Sequence, residues 1–177
     1  MLTLSLLRHA KSSWDEPGLS DHERPLAKRG LKAAPRIGAA LSGMGLKPDL
    51  VLCSDAVRTR ETLSLILPTF SAPPPQVVYE DVVYMAMPAA LLMRIRSVEA
   101  ENADRTPRHV MIVGHNPGLE ELAMLLIGTG ADDDLTRIAE KFPTCAVAVI
   151  AFETGNWTEL DAGAGRLEHF ITPSHLP

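Results

Sequence analysis

Short apolar runs alternate with longer segments of helical periodicity along most of the chain. A short continuous apolar run is typical of a strand buried in a parallel sheet, and such runs occur at residues 2–7, 50–53, 76–79 and 109–113. Apolar residues spaced for one helix face occupy residues 26–44, 56–67, 89–100 and 119–127. This alternation predicts an α/β fold, a three-layer α/β/α sandwich around a mostly parallel central sheet.

The last part of the chain has a different pattern. Residues 146–152 are apolar, Thr154-Gly155-Asn156 is typical of a turn, and the segment from Trp157 onward completes a predicted antiparallel hairpin. Glycine and aspartate dominate residues 128–134, which we predict to form a turn. The sequence has neither internal repeats nor a linker-like segment, so we expect a single domain over residues 1–177.

Composition limits the classes of function. The 177 residues are 46% hydrophobic and 22% charged, which is typical of a globular domain and excludes global disorder. The net charge of −5 creates no overall field that attracts nucleic acid or an anionic membrane, so we expect neither as a partner. The oligomeric state is left open by the sequence.

The expected location is the cytoplasm. The N-terminal apolar run lacks a basic leader and is interrupted by Arg8, which does not fit a signal peptide, and no run approaches the ~20 apolar residues of a membrane span. Cys53 and Cys145 each lie in an apolar run, so we expect two free thiols in a reducing compartment.

Polar residues directly follow three of the predicted strands. The segments are Arg8-His9, then Ser54-Asp55 with Arg58 one helical turn later, and then Gly114-His115-Asn116. Arg8-His9 alone could be an ordinary surface pair. Because parallel strands end at one edge of a sheet, however, two arginines and two histidines are expected to converge there. Two helix N-termini, one of them capped by Ser54, are expected to point the same way.

Such a concentration of positive charge on an acidic chain predicts a site for a small dianion, with phosphate as the obvious candidate. Arginine forks bind phosphoryl oxygens, and a neutral imidazole can attack phosphorus to form a covalent intermediate that water hydrolyses. We expect the neighbouring guanidinium charges to lower the histidine pKa and keep the imidazole neutral. The long polar loop at residues 11–25 directly follows this site and is expected to be functional.

The three motifs together resemble those of the histidine phosphatase superfamily, the phosphoglycerate-mutase-like fold. They are Arg8-His9-Ala10, Ser54-Asp55-Ala56-Val57-Arg58-Thr59 and Gly114-His115-Asn116-Pro117, with Ala10 where the family usually has glycine. The extension through Lys11-Ser12-Ser13-Trp14, with Asp21 and Arg24-Pro25-Leu26, is similar to the SixA-type phosphohistidine phosphatase branch. The resemblance covers nearly the whole chain.

The resemblance implies roles for individual residues. His9 would be the phosphorylated nucleophile. Arg8, Arg58 and His115 would bind the phosphoryl oxygens, with His115 also stabilising the transition state, and Asn116 would belong to the substrate-binding set. No cofactor is implied.

A general acid is harder to assign. The family's mutases and many of its small-molecule phosphatases carry a proton-donating glutamate soon after the third strand, where this chain has Glu80 and Asp81. Neither lies in a recognisable mutase motif, and residues 82–87 are too few for the lid of those branches. Both departures argue against mutase activity and suggest an open site that could admit a protein.

The leading hypothesis is therefore a phosphatase acting on phosphohistidine in a protein. The alternatives are a small-metabolite phosphomonoester phosphatase and a non-catalytic phosphate-binding module. Cys53 is expected to be a core residue, since four residues separate it from Arg58 where a cysteine phosphatase has five. No metal site is expected, because the chain has neither HExxH nor a Cys/His cluster. His109 is expected to be an ordinary residue at a strand start and His22 a surface residue, and Trp14 either packs on the polar loop or covers the core.

Overall fold

The computed structural model describes residues 1–102 and 105–176, which form seven strands and five α-helices. The strands are β1 (Leu2–Arg8), β2 (Leu50–Ser54), β3 (Gln76–Glu80), β4 (His109–Gly114), β5 (Ile127–Gly130), β6 (Val147–Phe152) and β7 (Gly165–Ile171). The helices are α1 (Lys28–Gly43), α2 (Val57–Ile66), α3 (Pro88–Glu101), α4 (Gly118–Leu126) and α5 (Asp132–Glu140).

All seven strands lie in one sheet, in the order β3-β2-β4-β1-β6-β7-β5. The first four strands in that order run parallel, β6 runs antiparallel to both β1 and β7, and β5 pairs parallel with β7. The mostly parallel sheet with a C-terminal antiparallel pair is thus confirmed. The carboxyl ends of β1, β2 and β4 all reach the same edge, from which the polar motifs project.

Two apolar cores lie on the two faces of the sheet. Alternate side chains of a strand point to opposite faces, so Leu6 joins the core under α3 and α4, whereas Leu7 joins the core under α1 and α2. Both residues are fully buried, as are Ile37 of α1 and Ile95 of α3. The helices therefore cover both faces and complete the three layers.

The turn predicted for residues 128–134 is wrong, because this stretch contains β5 and the first turn of α5. β5 is a short glycine-containing strand that exists through its pairing with β7, a contact between distant parts of the chain. Asp132, Asp133 and Asp134 occupy the first turn of α5, where the helix dipole favours negative charge.

The second strand of the hairpin starts later than predicted. Trp157–Glu159 is a 3-10 helix, and β7 begins only at Gly165. The Trp157 indole is fully buried and donates from Nε1 to the Pro107 carbonyl at 2.8 Å. Burial of this large side chain with its hydrogen bond satisfied holds the segment out of the sheet.

Ser54 is not the N-cap of a helix as predicted. It is the last residue of β2, and the N-cap of α2 is Ala56, whose side chain makes no capping bond. The hydroxyl of Ser54 instead contacts His115, a residue 61 positions away in the chain. A local rule for helix caps could not anticipate this contact.

Gly118, the first residue of α4, has no room for a side chain, because a Cβ there would lie 1.9 Å from the Ala86 carbonyl oxygen. We expect Gly118→Ala to lower the free energy of unfolding by about 1–3 kcal/mol, measured by urea denaturation. Gly43→Ala is the matched control, since a Cβ at Gly43 meets nothing within 4 Å. Equal stability of the two variants would contradict the close packing of α4 against Ala86.

Candidate active site

The register of two central strands brings the two motif histidines together. Arg8 of β1 lies opposite Gly114 of β4, and the backbone N–H of His9 donates to the Gly114 carbonyl at 3.0 Å. The next residue on each strand is a histidine, and the ring centroids of His9 and His115 are 5.2 Å apart.

The contacts of His9 fix its tautomer. Its Nδ1 lies 2.7 Å from the Ala10 carbonyl oxygen, which can only accept, so Nδ1 carries the proton. The lone pair is therefore on Nε2, the nitrogen available to attack an electrophile. Burial, assisted by the charges of Arg58, Arg8 and Arg24, lowers the pKa of His9 to about 4, so the ring is neutral at pH 7. The guanidinium charges act as expected from the sequence, but burial is the larger cause.

His115 is held at both ring nitrogens. Its Nδ1 lies 3.2 Å from Nη2 of Arg58, a group that can only donate, so Nδ1 accepts. Nε2 then carries the proton and donates to the Ser54 hydroxyl at 2.8 Å. Burial, followed by the charges of Arg58 and His9, lowers the pKa of His115 to about 3. The two imidazoles are thus neutral neighbours with defined orientations.

Arg58 projects from the first turn of α2 and is almost completely buried. A residue of the polar loop, Asp21, compensates its charge. Nη2 of Arg58 donates to Oδ2 of Asp21 at 2.8 Å, and Nη1 donates to the Asp21 backbone carbonyl. The carboxylate also accepts from Arg24 at 2.9 Å and from the Tyr84 hydroxyl at 2.8 Å.

Asp21 is ionised at neutral pH. Its partial burial acts to raise its pKa, but the hydrogen bonds from Tyr84, Arg58 and Arg24 together lower it to about 2. The sequence assigned no role to Asp21 or Tyr84. The presence of Asp21 and Arg24 in the extended motif was a usable signal for Asp21, whereas nothing in the sequence pattern indicated Tyr84.

Arg8 and Asn116 share a backbone acceptor at the other side of the site. Nη1 of Arg8 donates to the Phe142 carbonyl at 2.7 Å, and Nδ2 of Asn116 donates to the same oxygen at 3.1 Å and to Glu120 at 2.7 Å. Among the described residues, Nε of Arg8 and Oδ1 of Asn116 are buried without a hydrogen-bond partner. One donor and one acceptor on this side of the site are therefore unpaired.

Glu80 and Asp81 lie apart from this network. Both carboxylate oxygens of Glu80 accept from Arg94, at 2.7–3.0 Å. Asp81 is exposed and begins a 3-10 helix, Asp81–Val83, beside the groove that Glu80 also lines. The structure thus brings His9, His115 and Arg58 together but places neither carboxylate in their hydrogen-bond network, and an acid role for either stays a prediction.

The polar loop is ordered around Arg24. Its guanidinium donates to the Ser13 carbonyl and the Ser12 hydroxyl, at 2.9 and 2.8 Å, and stacks 3.2 Å from the ring of Trp14. Trp14 therefore packs on the loop and does not cover the core, since 73% of its surface is exposed. The loop's internal contacts are what present Asp21 to Arg58.

The structure also tests the predictions for two further histidines and for the two cysteines. His22 lies at the surface as expected, with 38% of its side chain exposed, and it also bonds Asp55 at 2.8 Å and packs edge-on against Tyr84 beside the site. His109 is ordinary as expected, its Nε2 bonding the Ser5 hydroxyl at the start of β4. Cys53 and Cys145 are free and buried as expected, and burial raises the pKa of each thiol to about 12.

Within residues 1–102 and 105–176, no group of three or more His, Cys, Asp or Glu side chains is arranged to hold a metal ion. Over the same residues, no helix has both the length and the apolar character that crossing a membrane requires.

Comparison with known proteins agrees with the geometry. The family model of the histidine phosphatase superfamily (branch 1) matches residues 4–81. A solved structure from Agrobacterium tumefaciens, provisionally named phosphohistidine phosphatase SixA, is 31% identical, with a TM-score of 0.77 over 97% of this chain and 99% of that one. The chain belongs to the histidine phosphatase superfamily, in its SixA-type branch.

Two further relatives extend the similarity over nearly the full length. A SixA from Nakamurella multipartitia, also provisionally named, is 30% identical, with a TM-score of 0.78 over 97% of this chain and 96% of that one. An uncharacterized protein of Mycobacterium tuberculosis is 35% identical over 169 residues, 94% of this chain and 99% of its own. As a member of this superfamily the protein is a hydrolase, a phosphatase with a histidine nucleophile.

The lowered histidine pKa values predict how stability depends on pH. Between the folded pKa of about 4 or 3 and the ordinary value of 6.5, His9, His109 and His115 are neutral when folded but protonated when unfolded. The unfolded state then binds more protons, so acidification from pH 6.5 towards 4 should destabilise the protein by up to about 1.4 kcal/mol per pH unit for each histidine.

Urea denaturation at several pH values measures this slope. Asp21 contributes only at lower pH, where its stabilisation is lost as the pH falls from 3.8 towards about 2. His109→Gln is the control, since it removes one titrating ring outside the site and should reduce the slope. A free energy of unfolding that stays constant from pH 6.5 to 4 would show that the rings are not buried in the neutral form.

Proposed function

We propose that this phosphatase works through a phosphohistidine intermediate on His9 and acts on phosphohistidine carried by a protein. The observation that supports the role of His9 is its bond to the Ala10 carbonyl, which leaves the Nε2 lone pair free on a buried neutral ring. Arg8, Arg58 and His115 lie around it with the donors that a phosphoryl group requires.

The proposed reaction has two steps. Nε2 of His9 attacks phosphorus, a bond from nitrogen to phosphorus forms, and the bond to the leaving group breaks. Arg8 and Arg58 stabilise the negative charge on the phosphoryl oxygens, and the Nε2–H of His115 exchanges the Ser54 hydroxyl for an oxygen of the same group. Water then attacks phospho-His9 and breaks its bond to phosphorus, which releases phosphate and restores the neutral imidazole.

The arrangement of carboxylates favours a leaving group that needs little assistance. An alkoxide must be protonated as it departs, whereas an imidazole that is protonated at its other nitrogen leaves as a neutral molecule. Glu80, the last residue of β3, is held by Arg94 and does not bond the histidine cluster. The relatives from A. tumefaciens and N. multipartitia also carry the name phosphohistidine phosphatase.

The connection after β3 favours a protein substrate. Only seven residues separate the end of β3 at Glu80 from Pro88, where α3 begins, and they contain a 3-10 turn. This segment contacts the site through Tyr84, whose ring lies 5.2 Å from that of His115, but it is too short for a lid insertion. The short connection favours access by a side chain presented on a protein surface. A small-metabolite phosphomonoesterase is the alternative that substrate profiling distinguishes. A cytoplasmic location stays a prediction, and one relative, from Arabidopsis thaliana, is described as chloroplastic.

We expect His9→Ala to abolish turnover while phosphate or vanadate still binds, because Arg8, Arg58 and His115 remain. The measurements are phosphoramidate hydrolysis and vanadate binding by calorimetry. Cys53→Ser is the control and should keep near wild-type activity, since its thiol is buried and protonated. Residual activity of His9→Ala above about a tenth of wild type, a barrier change below ~1.4 kcal/mol, would exclude His9 as the nucleophile.

The carboxylates of Glu80 and Asp81 provide the test of substrate class. We expect Glu80→Gln and Asp81→Asn to change kcat/KM little with phosphoramidate or a phosphohistidine protein, because the leaving nitrogen needs no strong acid. With an alkyl phosphate, one of them is expected to lower kcat/KM by about 10²-fold or more. A wild type that prefers alkyl phosphates would refute the phosphohistidine assignment. Equal large losses on both substrate types would identify a general acid.

A further inference from the structure

Helix α1 carries an exposed cluster of positive charge. Its sequence from Lys28 to Gly43 contains two lysines and two arginines but no aspartate or glutamate. Lys28, Arg29 and Lys32 are exposed, and none of the three forms an ion pair within the described part of the chain. They line one groove of about 450 Å³ against the C-terminal segment at Pro173.

Folding alone does not account for this placement. The first turn of a helix carries partial positive charge, so Lys28 and Arg29 lie where the helix dipole opposes them, and Lys28 and Lys32 are like charges one turn apart. α1 also has no acidic residue in its first turn to offset them. The helix is held instead by its apolar side, through residues such as Ile37 and Leu41. Binding of a ligand with negative charge would explain why the helix has these lysines and arginine despite their unfavourable interactions with the helix dipole and with one another.

The cluster continues to the active site through Lys11. Lys11 is exposed, lies two residues after His9, and lines a small cleft together with Arg29. Its carbonyl accepts from the Ala27 N–H at 2.8 Å, and a Cβ on Gly30 would lie 2.3 Å from the same oxygen. The start of α1 is therefore packed directly on the segment that carries the proposed nucleophile.

We propose that Lys11, Lys28, Arg29 and Lys32 form a docking strip for an acidic surface of the phosphohistidine-bearing protein. The inference rests on the proposed function, and it specifies in addition that the partner protein has an acidic surface. The remainder of this chain is acidic enough to give a net charge of −5, so an acidic partner would otherwise be repelled. A local cationic strip beside the site reverses this repulsion where the substrate must approach and orients it.

The geometry favours a protein over other polyanions. A small dianion is satisfied within the pocket and cannot also reach Lys28 and Lys32, which lie along α1 at a spacing of about one helical turn, ~5 Å. A helix that binds a membrane inserts its apolar face, whereas the apolar face of α1 is buried against the sheet. An extended or helical segment with acidic side chains can occupy the pocket and the strip at once.

The test compares two synthetic peptides of about 12 residues, an extended reach of ~40 Å, each with one central phosphohistidine. One has aspartate and glutamate around it, and the other has serine and glutamine. At about 0.01 M salt, the wild type should show a kcat/KM at least ~10-fold higher for the acidic peptide. The preference should disappear at about 1 M salt, where the Debye length is ~3 Å.

The variant Lys28→Gln/Arg29→Gln/Lys32→Gln should lose the preference and retain phosphoramidate hydrolysis within about twofold of wild type, which shows an intact fold and pocket. The matched control is Lys47→Gln/Arg105→Gln/Arg108→Gln, which removes the same charge from a groove at the opposite edge of the sheet. This control should keep the preference for the acidic peptide.

Three results would overturn the docking strip. They are equal turnover of the two peptides by the wild type, an equal loss of preference in the control, and binding of the wild type to phosphatidylserine vesicles that the α1 substitutions abolish. The first two leave the proposed function intact if both peptides are hydrolysed. A wild type that hydrolyses neither peptide nor phosphoramidate would instead refute the proposed function, and the strip with it.

Discussion

The parallel pairing of β1 with β4 at the centre of the sheet is the constraint on which the site depends. Arg8 lies opposite Gly114, and each strand continues into a histidine, so the register alone sets His9 beside His115. A shift of one residue would turn every side chain of β1 to the opposite face, so that Leu6 and Leu7 would each enter the wrong core. The energy that fixes the register is therefore the burial of both cores, and the geometry of the two imidazoles follows from it.

Burial also determines the chemical state of the pair. Both rings are neutral because the charged form would have to lose its hydration, and the nearby guanidinium groups add to this effect. Their tautomers are fixed by their partners. The Ala10 carbonyl can only accept from His9, and the Arg58 guanidinium can only donate to His115. Ala10 itself, in the place of the family's usual glycine, is fully buried, and its N–H donates to the Thr62 hydroxyl of α2.

Asp21 compensates the buried positive charge of Arg58. Arg58 is almost inaccessible to water, and an uncompensated buried charge is strongly destabilising. Asp21 supplies the counter-charge from the loop, and Arg24 and Tyr84 position it. The same carboxylate would share Arg58 with an incoming phosphoryl group, so the loop after β1 takes part in the electrostatic balance of the pocket. The cationic side of α1 begins where that loop ends.

Patterns in the amino-acid sequence were sufficient to predict the α/β class, the four parallel strands and the convergence of the motif residues. Each of these depends on local periodicity or on residues at strand ends, and strand direction places such ends at one edge. The remaining features depend on contacts between residues that are far apart in the chain. Ser54 bonds His115 instead of capping α2, Tyr84 and His22 border the site, and Glu80 pairs with Arg94. β5 and the position of Trp157 likewise depend on contacts between distant segments, whose partners no local pattern specifies.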